Sequence, residues 1–116
     1  MTSIRLETKR LEFDGRVWEI CCNMAVLDAL QTAHGGDFSA VMALPPFQAA
    51  AEMLAAMLND YAEDQGWDVR YTPKQVARRT NLLALNELDV LGMFNRAVSV
   101  EEPAAEDAPA GAGEGN

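Results

Sequence analysis

Apolar and polar residues alternate near the start of the chain, in the segment RLEFDGRVWEI. Alternation places every second side chain on one face of a β-strand, and two alternating runs here flank Asp14-Gly15. Asp-Gly favours a two-residue hairpin turn, because glycine readily adopts the positive φ that this turn requires. The pattern therefore predicts a β-hairpin over residues 10–21, with Leu11 opposite Trp18.

A helical spacing follows the hairpin, with apolar residues recurring every three or four positions. Asn23 is a favourable N-cap residue and Gly35-Gly36 ends the apolar run, so a helix is predicted over about residues 24–34. Asp37 begins a shorter helical turn, which a pair of prolines ends. The hairpin thus leads directly into the first helix.

The strongest helical pattern predicts a central helix over residues 47–64, with Gly66 as its end. Alanine, leucine and methionine extend around much more than half of its circumference, which is more than a small domain easily covers. Its apolar stripe and the flanks of that stripe include Phe47, Met53, Leu54, Met57 and Leu58.

Two more helices are predicted from capping signals. Thr72 followed by Pro73 is a cap with proline at the first helical position, and this helix is expected over residues 73–83. Asn86 marks another start, and the helix that follows it is expected over residues 87–99.

The predicted fold class is α+β and mostly α, with an N-terminal hairpin packed on about four helices. Residues 1–100 are expected to form a single domain, since domains commonly contain about 100–150 residues and the chain has 116. The last 16 residues, EEPAAEDAPAGAGEGN, carry five acidic side chains and no large apolar one. Residues 101–116 are therefore predicted to be a disordered acidic tail.

The formal net charge is −9, of which the tail contributes five negative charges. A negative chain repels phosphates, so nucleic acid is not favoured as a partner. No stretch approaches the ~20 apolar residues that span a bilayer, and the N-terminus lacks the layout of a signal peptide. A cytoplasmic protein without a membrane partner is expected.

Few residues suit catalysis or metal binding. His34 is the only histidine, and Cys21 and Cys22 are adjacent, so neither a two-histidine metal site nor a disulfide staple is expected. His34 lies at a predicted helix end, where an imidazolium suits the negative pole of the helix dipole. No catalytic residue, metal or cofactor is predicted, and an enzyme is the least favoured class.

Basic residues concentrate in one segment, TPKQVARRTNLLALNELDVLGMFNRA, and just before it. Arg70, Lys74, Arg78 and Arg79 define a predicted basic face, which either pairs with neighbouring acids or contacts an acidic protein. The same segment also suggests a helix-turn-helix DNA-binding regulator. Its second helix would be ELDVLGMFN, which offers two acids where a DNA reader presents polar or basic tips, so this alternative is less favoured.

Apolar surface is the remaining functional feature. Methionine-rich faces often bind partners of varied sequence, although the same methionines also serve to fill gaps in a core. We therefore predict a protein-binding or self-association surface on the central and last helices. Its expected residues are Phe47, Met53, Leu54, Met57, Leu58, Met93 and Phe94.

The order of these motifs resembles that of the tail assembly chaperones of long-tailed bacteriophages and related gene-transfer or tailocin particles. The matching features are the strand pair EFDGRVWEI, the helix AVLDALQTAHGG, the long apolar helix, and the start YTPKQVARR with Thr72, Pro73 and Val76. They cover about residues 10 to 100. The chain departs from the family pattern at EICCN, where an apolar-Arg-Phe type of run is more usual.

The resemblance implies a non-enzymatic scaffold. Members of that family coat the helical tape measure protein before the tail tube polymerises around it, and they are absent from the finished particle. The implied partners are the tape measure protein, the major tail tube protein and further copies of the chain, in the bacterial host cytoplasm. A structural tail or connector component of a phage is the alternative within the same setting.

Overall fold

The computed structural model describes residues 1–99, which form a two-stranded antiparallel hairpin followed by six helices. The fold class is α+β and mostly α, as the hydrophobic pattern predicted. The predicted tail, residues 101–116, lies outside the described residues. The elements are β1 (Thr8–Phe13), β2 (Arg16–Cys21), α1 (Met24–Ala33), α2 (Phe38–Met42), α3 (Pro46–Gln65), α4 (Pro73–Arg78), α5 (Leu82–Leu88) and α6 (Val90–Val98).

The hairpin has the predicted register. Leu11 pairs with Trp18, and the turn between the strands places Asp14 at φ 54° and Gly15 at φ 78°. Two consecutive positive φ values define a type I′ turn, whose twist matches that of the strands. The inner face of β2 contributes Trp18 and Ile20 to the core, and both are fully buried.

Aromatic rings anchor the hairpin to the end of α3. The ring of Trp18 lies 5.0 Å from that of Trp67 and 6.0 Å from that of Tyr71, both in edge-to-face orientation. Its indole N–H donates a 2.7 Å hydrogen bond to the carbonyl oxygen of Phe13. Because the indole N–H keeps a hydrogen-bond partner, burial of the ring leaves no donor unsatisfied. The apolar contacts of this cluster therefore stabilise the packing of the hairpin on the helices.

Helix α3 is the centre of the fold. β2, α1, α4 and α6 all pack against it, and this explains why an apolar surface on most of its circumference is covered. Alanines allow these neighbours to approach closely. The buried residues of α3 are Ala49, Ala50, Ala51, Met53, Leu54, Ala55, Met57, Leu58 and Ala62.

Two asparagine side chains fix the start of α1 and the segment after α3. The carboxamide oxygen of Asn23 accepts a 2.9 Å hydrogen bond from the amide of Val26, and its nitrogen donates to Asp60 on α3 at 2.9 Å. Asn59 on α3 bonds both the backbone N–H and the backbone C=O of Tyr71, each at 2.8 Å. These hydrogen bonds hold the start of α1 and the segment after α3 against α3.

The predicted helix over residues 73–83 is shorter than expected. Thr72 forms the predicted cap as a capping box with Gln75, but α4 ends at Arg78. Asn81 then adopts an extended conformation, and its side chain accepts a 2.9 Å hydrogen bond from the amide of Ala84. A second cap therefore ends the first helix and begins another one.

The predicted start at Asn86 is wrong, because Asn86 lies inside α5. The break falls at Asp89, which adopts the left-handed conformation at φ 55° and ψ 48°. Aspartate tolerates this conformation better than most residues, because its short side chain bonds locally. The helix expected over residues 87–99 is thus divided between α5 and α6.

Candidate functional site

The two cysteines are structural residues at the junction of β2 and α1. Both are free thiols, and Cys22 is buried. Burial raises the pKa of Cys22 to about 11 and also raises the pKa of Cys21. Both thiols therefore stay protonated at neutral pH, which makes them weak nucleophiles. Within residues 1–99, no cluster of three or more His, Cys, Asp or Glu side chains is placed to hold a metal ion.

His34 lies at the C-terminus of α1, where the sequence placed it. Its Nε2 is 2.6 Å from Oε1 of Glu52 on α3, and both side chains are mostly buried. The contact ties the end of α1 to the central helix. His34 therefore contributes to the packing of α1 on α3.

Most of the predicted binding surface is core. Of the seven residues expected there, six are at most 2% exposed, and only Phe47 reaches the solvent. The prediction of an exposed surface from the other six is wrong. Four of them lie on α3, against which β2, α1, α4 and α6 pack, and the other two lie on the buried side of α6. The six buried residues are Met53, Leu54, Met57, Leu58, Met93 and Phe94.

One exposed apolar surface lies at the opposite end of α3 from the aromatic cluster. Phe47, in the first turn of α3, is 73% exposed. Helix α5 has the sequence LLALNEL, yet none of its residues is fully buried. Leu82 is 54% exposed and Leu83 is 67% exposed. A helix this rich in leucine gains stability only when apolar surface covers it, so α5 is incompletely partnered within the chain.

Phe47 and Leu82 border one depression of about 150 Å³, at the meeting point of α3, α5 and α6. We call its apolar rim, formed by Phe47, Leu82, Leu85 and Leu91, the α5 face. Leu91 is 38% exposed and belongs to α6. The rest of the lining is Pro46, Ala50, Asn86, Asp89 and Val90.

An ion-pair network fixes the α5–α6 bend that shapes this face. The guanidinium of Arg96 donates to the carboxylate of Asp89 at 2.9 Å and to both oxygens of Glu7 at 2.7 Å. The hydrogen bond from Arg96 is the main reason that the pKa values of Glu7 and Asp89 lie below their usual ranges. The network therefore joins the N-terminal segment to the bend while both carboxylates are ionised.

The α5 face has few charged groups at its edge, and the one in the depression is ion-paired. Asp89 is the one charged residue in the lining of the depression, among the described residues, and α5 adds Glu87. The nearest cation on α6 is Arg96, whose guanidinium is already shared between two carboxylates. The α5 face is therefore an apolar surface with an ion-paired carboxylate at its edge.

The four residues of the predicted basic face have different surroundings. Arg79 forms a 3.1 Å ion pair with Asp14 of the hairpin turn. Arg70 lines a groove beside carboxylates of α1 and α3. Lys74 and Arg78 lie one turn apart on α4 and are exposed. Arg79 is thus paired with an acid of the same chain, as one of the two interpretations of the basic face expected.

The helix proposed to read DNA is α6 together with the end of α5. Val90, Met93 and Phe94 of α6 are buried, and the ring of Phe94 stacks at 6.0 Å on that of Phe38. A recognition helix must leave one long side free to enter the major groove. Helix α6 packs its inner side against α3 and α2. Its exposed residues are Leu91, Asn95 and Arg96, and the one cation among them is already paired with Glu7 and Asp89.

Two larger concavities have a different character. A groove of about 500 Å³ between α1 and α3 has an alanine floor and acidic walls. A cavity of about 320 Å³ lies between the N-terminal segment, α1 and α6, with Cys22 and the ion-paired Arg96 in its wall. The groove is lined mainly by alanine, acidic and polar groups. The cavity mixes the large apolar side chains of Leu6, Met24, Leu27 and Met93 with charged ones.

Sequence reasoning missed the leucines of α5. A usable signal was present, because LLALNEL places leucines at positions 82, 83, 85 and 88, which cannot all share one helical face. At least one of them must point away from the core. The pattern is not visible when residues 82–83 are assigned to the end of one helix and residues 87–88 to the start of the next.

Comparison of the chain with protein families, with characterised proteins and with solved structures found no match. None of the helices within residues 1–99 is long and apolar enough to cross a membrane.

Proposed function

We propose that this chain is a non-enzymatic tail assembly chaperone of a long-tailed phage or a related particle, which binds the tape measure protein before the tail tube forms. The observation that carries the proposal is the α5 face, where Phe47 and Leu82 are exposed beside a leucine-rich helix with no buried residue. Exposed apolar surface of this kind is typical of a protein-binding site.

The chemistry of the proposed partner fits this face. A tape measure protein is a long helix that exposes apolar residues until the tube covers it, so it tends to aggregate. A chaperone for such a helix needs an apolar contact surface and enough net charge to keep the complex dispersed. This chain combines the α5 face with a formal charge of −9.

The small size of the face suits a temporary cover. One depression of about 150 Å³ engages only a short part of a long helix, so many copies are required to coat it. Each contact is then weak enough to be displaced when the major tail tube protein polymerises. The proposed location is the host cytoplasm, and the proposed chaperone is absent from the finished particle.

Co-expression tests the proposal. The chain is produced together with the tape measure protein encoded beside it, and the soluble fraction is purified and sized. We expect a soluble complex containing several copies of the chain, and an insoluble tape measure protein when the chain is omitted. A chain that runs alone beside an insoluble tape measure protein contradicts the proposal.

Composition of the particle separates the proposal from its alternatives. A structural tail or connector component is present in purified particles, whereas a chaperone is missing from them. A DNA-binding regulator is retained on DNA in a salt-dependent manner, and charge reversal at Arg78 and Arg79 removes that retention.

A further inference from the structure

We infer that the open edge of β1 pairs with the same edge of a second copy of the chain, so that two hairpins form one four-stranded antiparallel sheet. The two-fold axis of this dimer passes through Leu11, and Arg10 of each copy lies opposite Glu12 of the other. Such a dimer is independent of the proposed function, since it involves neither the α5 face nor the tape measure protein.

The backbone of β1 is unpaired on one side. The sheet within residues 1–99 contains only β1 and β2, and Phe13 pairs with Arg16 next to the two-residue turn. Hydrogen-bonded and non-hydrogen-bonded pairs alternate from that closing pair, so the N–H and C=O groups of Thr8, Arg10 and Glu12 point away from β2. A row of unpaired backbone groups is a template for another strand.

The charged side chains along this edge are available to a second copy. Arg10 and Glu12 are exposed and lie two residues apart, on the same face of β1. Neither forms an ion pair or a side-chain hydrogen bond within residues 1–99. The formal charge of −9 is not concentrated here, because β1 carries two cations and one carboxylate.

These charges select one register. A two-fold axis brings the same strand of two copies together in antiparallel orientation. With the axis at Leu11, the favourable pair of Arg10 with Glu12 forms twice. With the axis one residue earlier or later, Arg10 faces Arg10 or Glu12 faces Glu12, and like charges directly opposite each other are destabilising.

The neighbouring side chains fit the same register. Leu11 is half-buried on the core side of β1, and at the axis it forms a non-hydrogen-bonded pair with Leu11 of the second copy, in which Cα atoms approach to about 4.5 Å. On the outer face, Arg10 lies opposite Glu19 of its own hairpin. Pairing with Glu12 of the second copy therefore places each arginine between two carboxylates.

Sedimentation of the full chain over a range of concentrations tests this dimer. We expect the parent chain to dimerise, and Arg10→Glu and Glu12→Arg each to weaken dimerisation by about tenfold, because each variant places like charges opposite each other twice. An equimolar mixture of the two variants should regain the affinity of the parent, since every opposed pair in the mixed dimer again joins an acid and a base. Lys74→Glu, at an exposed position of α4, is the matched control and should have no effect.

Hydrogen exchange locates the contact. The amides of Arg10 and Glu12 should exchange rapidly in dilute solution and slowly at high concentration, whereas the amide of Leu11, which is bonded to β2 in either state, should not change. Glu12→Pro removes one N–H from the open edge but none from the bonds to β2. It should abolish the dimer while circular dichroism shows a folded chain.

Several outcomes overturn the inference. A parent chain that stays monomeric up to about 100 µM excludes the dimer, and if its β1 edge instead pairs with an extended segment of another protein, the edge serves a different partner. A dimer that both charge reversals leave unchanged, or that the mixture does not restore, has another interface. Loss of the dimer in Phe47→Gln but not in Met24→Gln, a control at a 77% exposed position away from the α5 face, places the contact on that face. A variant that does not dimerise but still co-purifies with the tape measure protein leaves the proposed function standing.

Discussion

At the scale of single residues, Phe47 and Leu58 show that two apolar positions of one helix have different roles, one at the surface and one in the core. Both are large apolar residues of α3, yet Phe47 is 73% exposed and Leu58 is fully buried. Leu58 is enclosed by neighbouring elements, whereas Phe47 has α5 on one side and solvent on the other. Substitutions at the two positions should therefore affect different properties.

Leu58→Ala is expected to lower the free energy of unfolding by about 2–5 kcal/mol, since it removes buried methyl groups and leaves a cavity. Phe47→Ala is expected to change it by no more than about 0.5 kcal/mol, since the ring is mostly solvated. Urea denaturation of both variants measures the difference. Similar losses at the two positions contradict the assignment of Leu58 to the core and Phe47 to the surface.

Asn59 is predicted to be a stabilising polar residue. Its carboxamide satisfies both backbone groups of Tyr71, so Asn59→Ala leaves a donor and an acceptor without partners in a partly buried place. The expected loss is about 1–3 kcal/mol in the free energy of unfolding. Asn95→Ala, at an exposed position of α6, is the control and should change stability by less than about 0.5 kcal/mol. A neutral Asn59→Ala variant disagrees with this role.

At the scale of elements, α5 differs from the other helices in what stabilises it. Helices α1, α3, α4 and α6 each bury at least one residue, whereas α5 buries none. It is held by the Asn81 cap at its start and by the left-handed bend at Asp89 at its end. Such a helix belongs to the less stable part of a fold.

Hydrogen exchange tests this view of α5. We expect the amides of Leu85 to Leu88 to exchange faster than those of α3, and Asn81→Ala to accelerate the exchange further by removing the cap, worth about 1 kcal/mol. Protection of α5 equal to that of α3 in the free chain contradicts the interpretation.

The elements also show which parts of the fold local sequence determines. The hairpin, α1 and α3 were predicted closely, because Asp14-Gly15, Asn23 and Gly66 are strong local signals. The division of the last helices was not, because Asn81 and Asn86 are equally good caps by residue type, and packing of α6 on α3 decides between them. Burial of Met57 also could not be predicted, since periodicity gives the apolar face of a helix but not the number of elements that cover it.

At the scale of the whole molecule, one ion-pair network connects distant parts of the chain. Arg96 on α6 joins Glu7, before the hairpin, to Asp89 at the α5–α6 bend. The pKa of Glu7 is held below its usual value of 4.5, chiefly by the hydrogen bond from Arg96. A carboxylate with a lowered pKa stabilises the folded state above its unfolded pKa, and that stabilisation is lost as the pH falls through the folded pKa.

Arg96→Gln is therefore expected to flatten the acid limb of the stability profile. The parent chain should lose stability as the pH falls below 4.5, the usual pKa of Glu7, and the variant should lose less over the same range. Lys74→Gln, which removes a positive charge on α4, is the control. Thermal unfolding at successive pH values gives the comparison, and parallel profiles for parent and Arg96→Gln exclude a role for the network in acid sensitivity.

The central claim is that the α5 face is the part of the chain that covers the tape measure protein, and the most direct measurement is the solubility of that protein in the presence of matched variants. The tape measure protein is co-expressed with the parent chain, with the Phe47→Gln and Leu82→Gln double variant, and with Met24→Gln. The account predicts that the parent and Met24→Gln keep it soluble in a complex, and that the double variant, itself folded and soluble, does not. A tape measure protein that remains soluble with all three chains would contradict the claim.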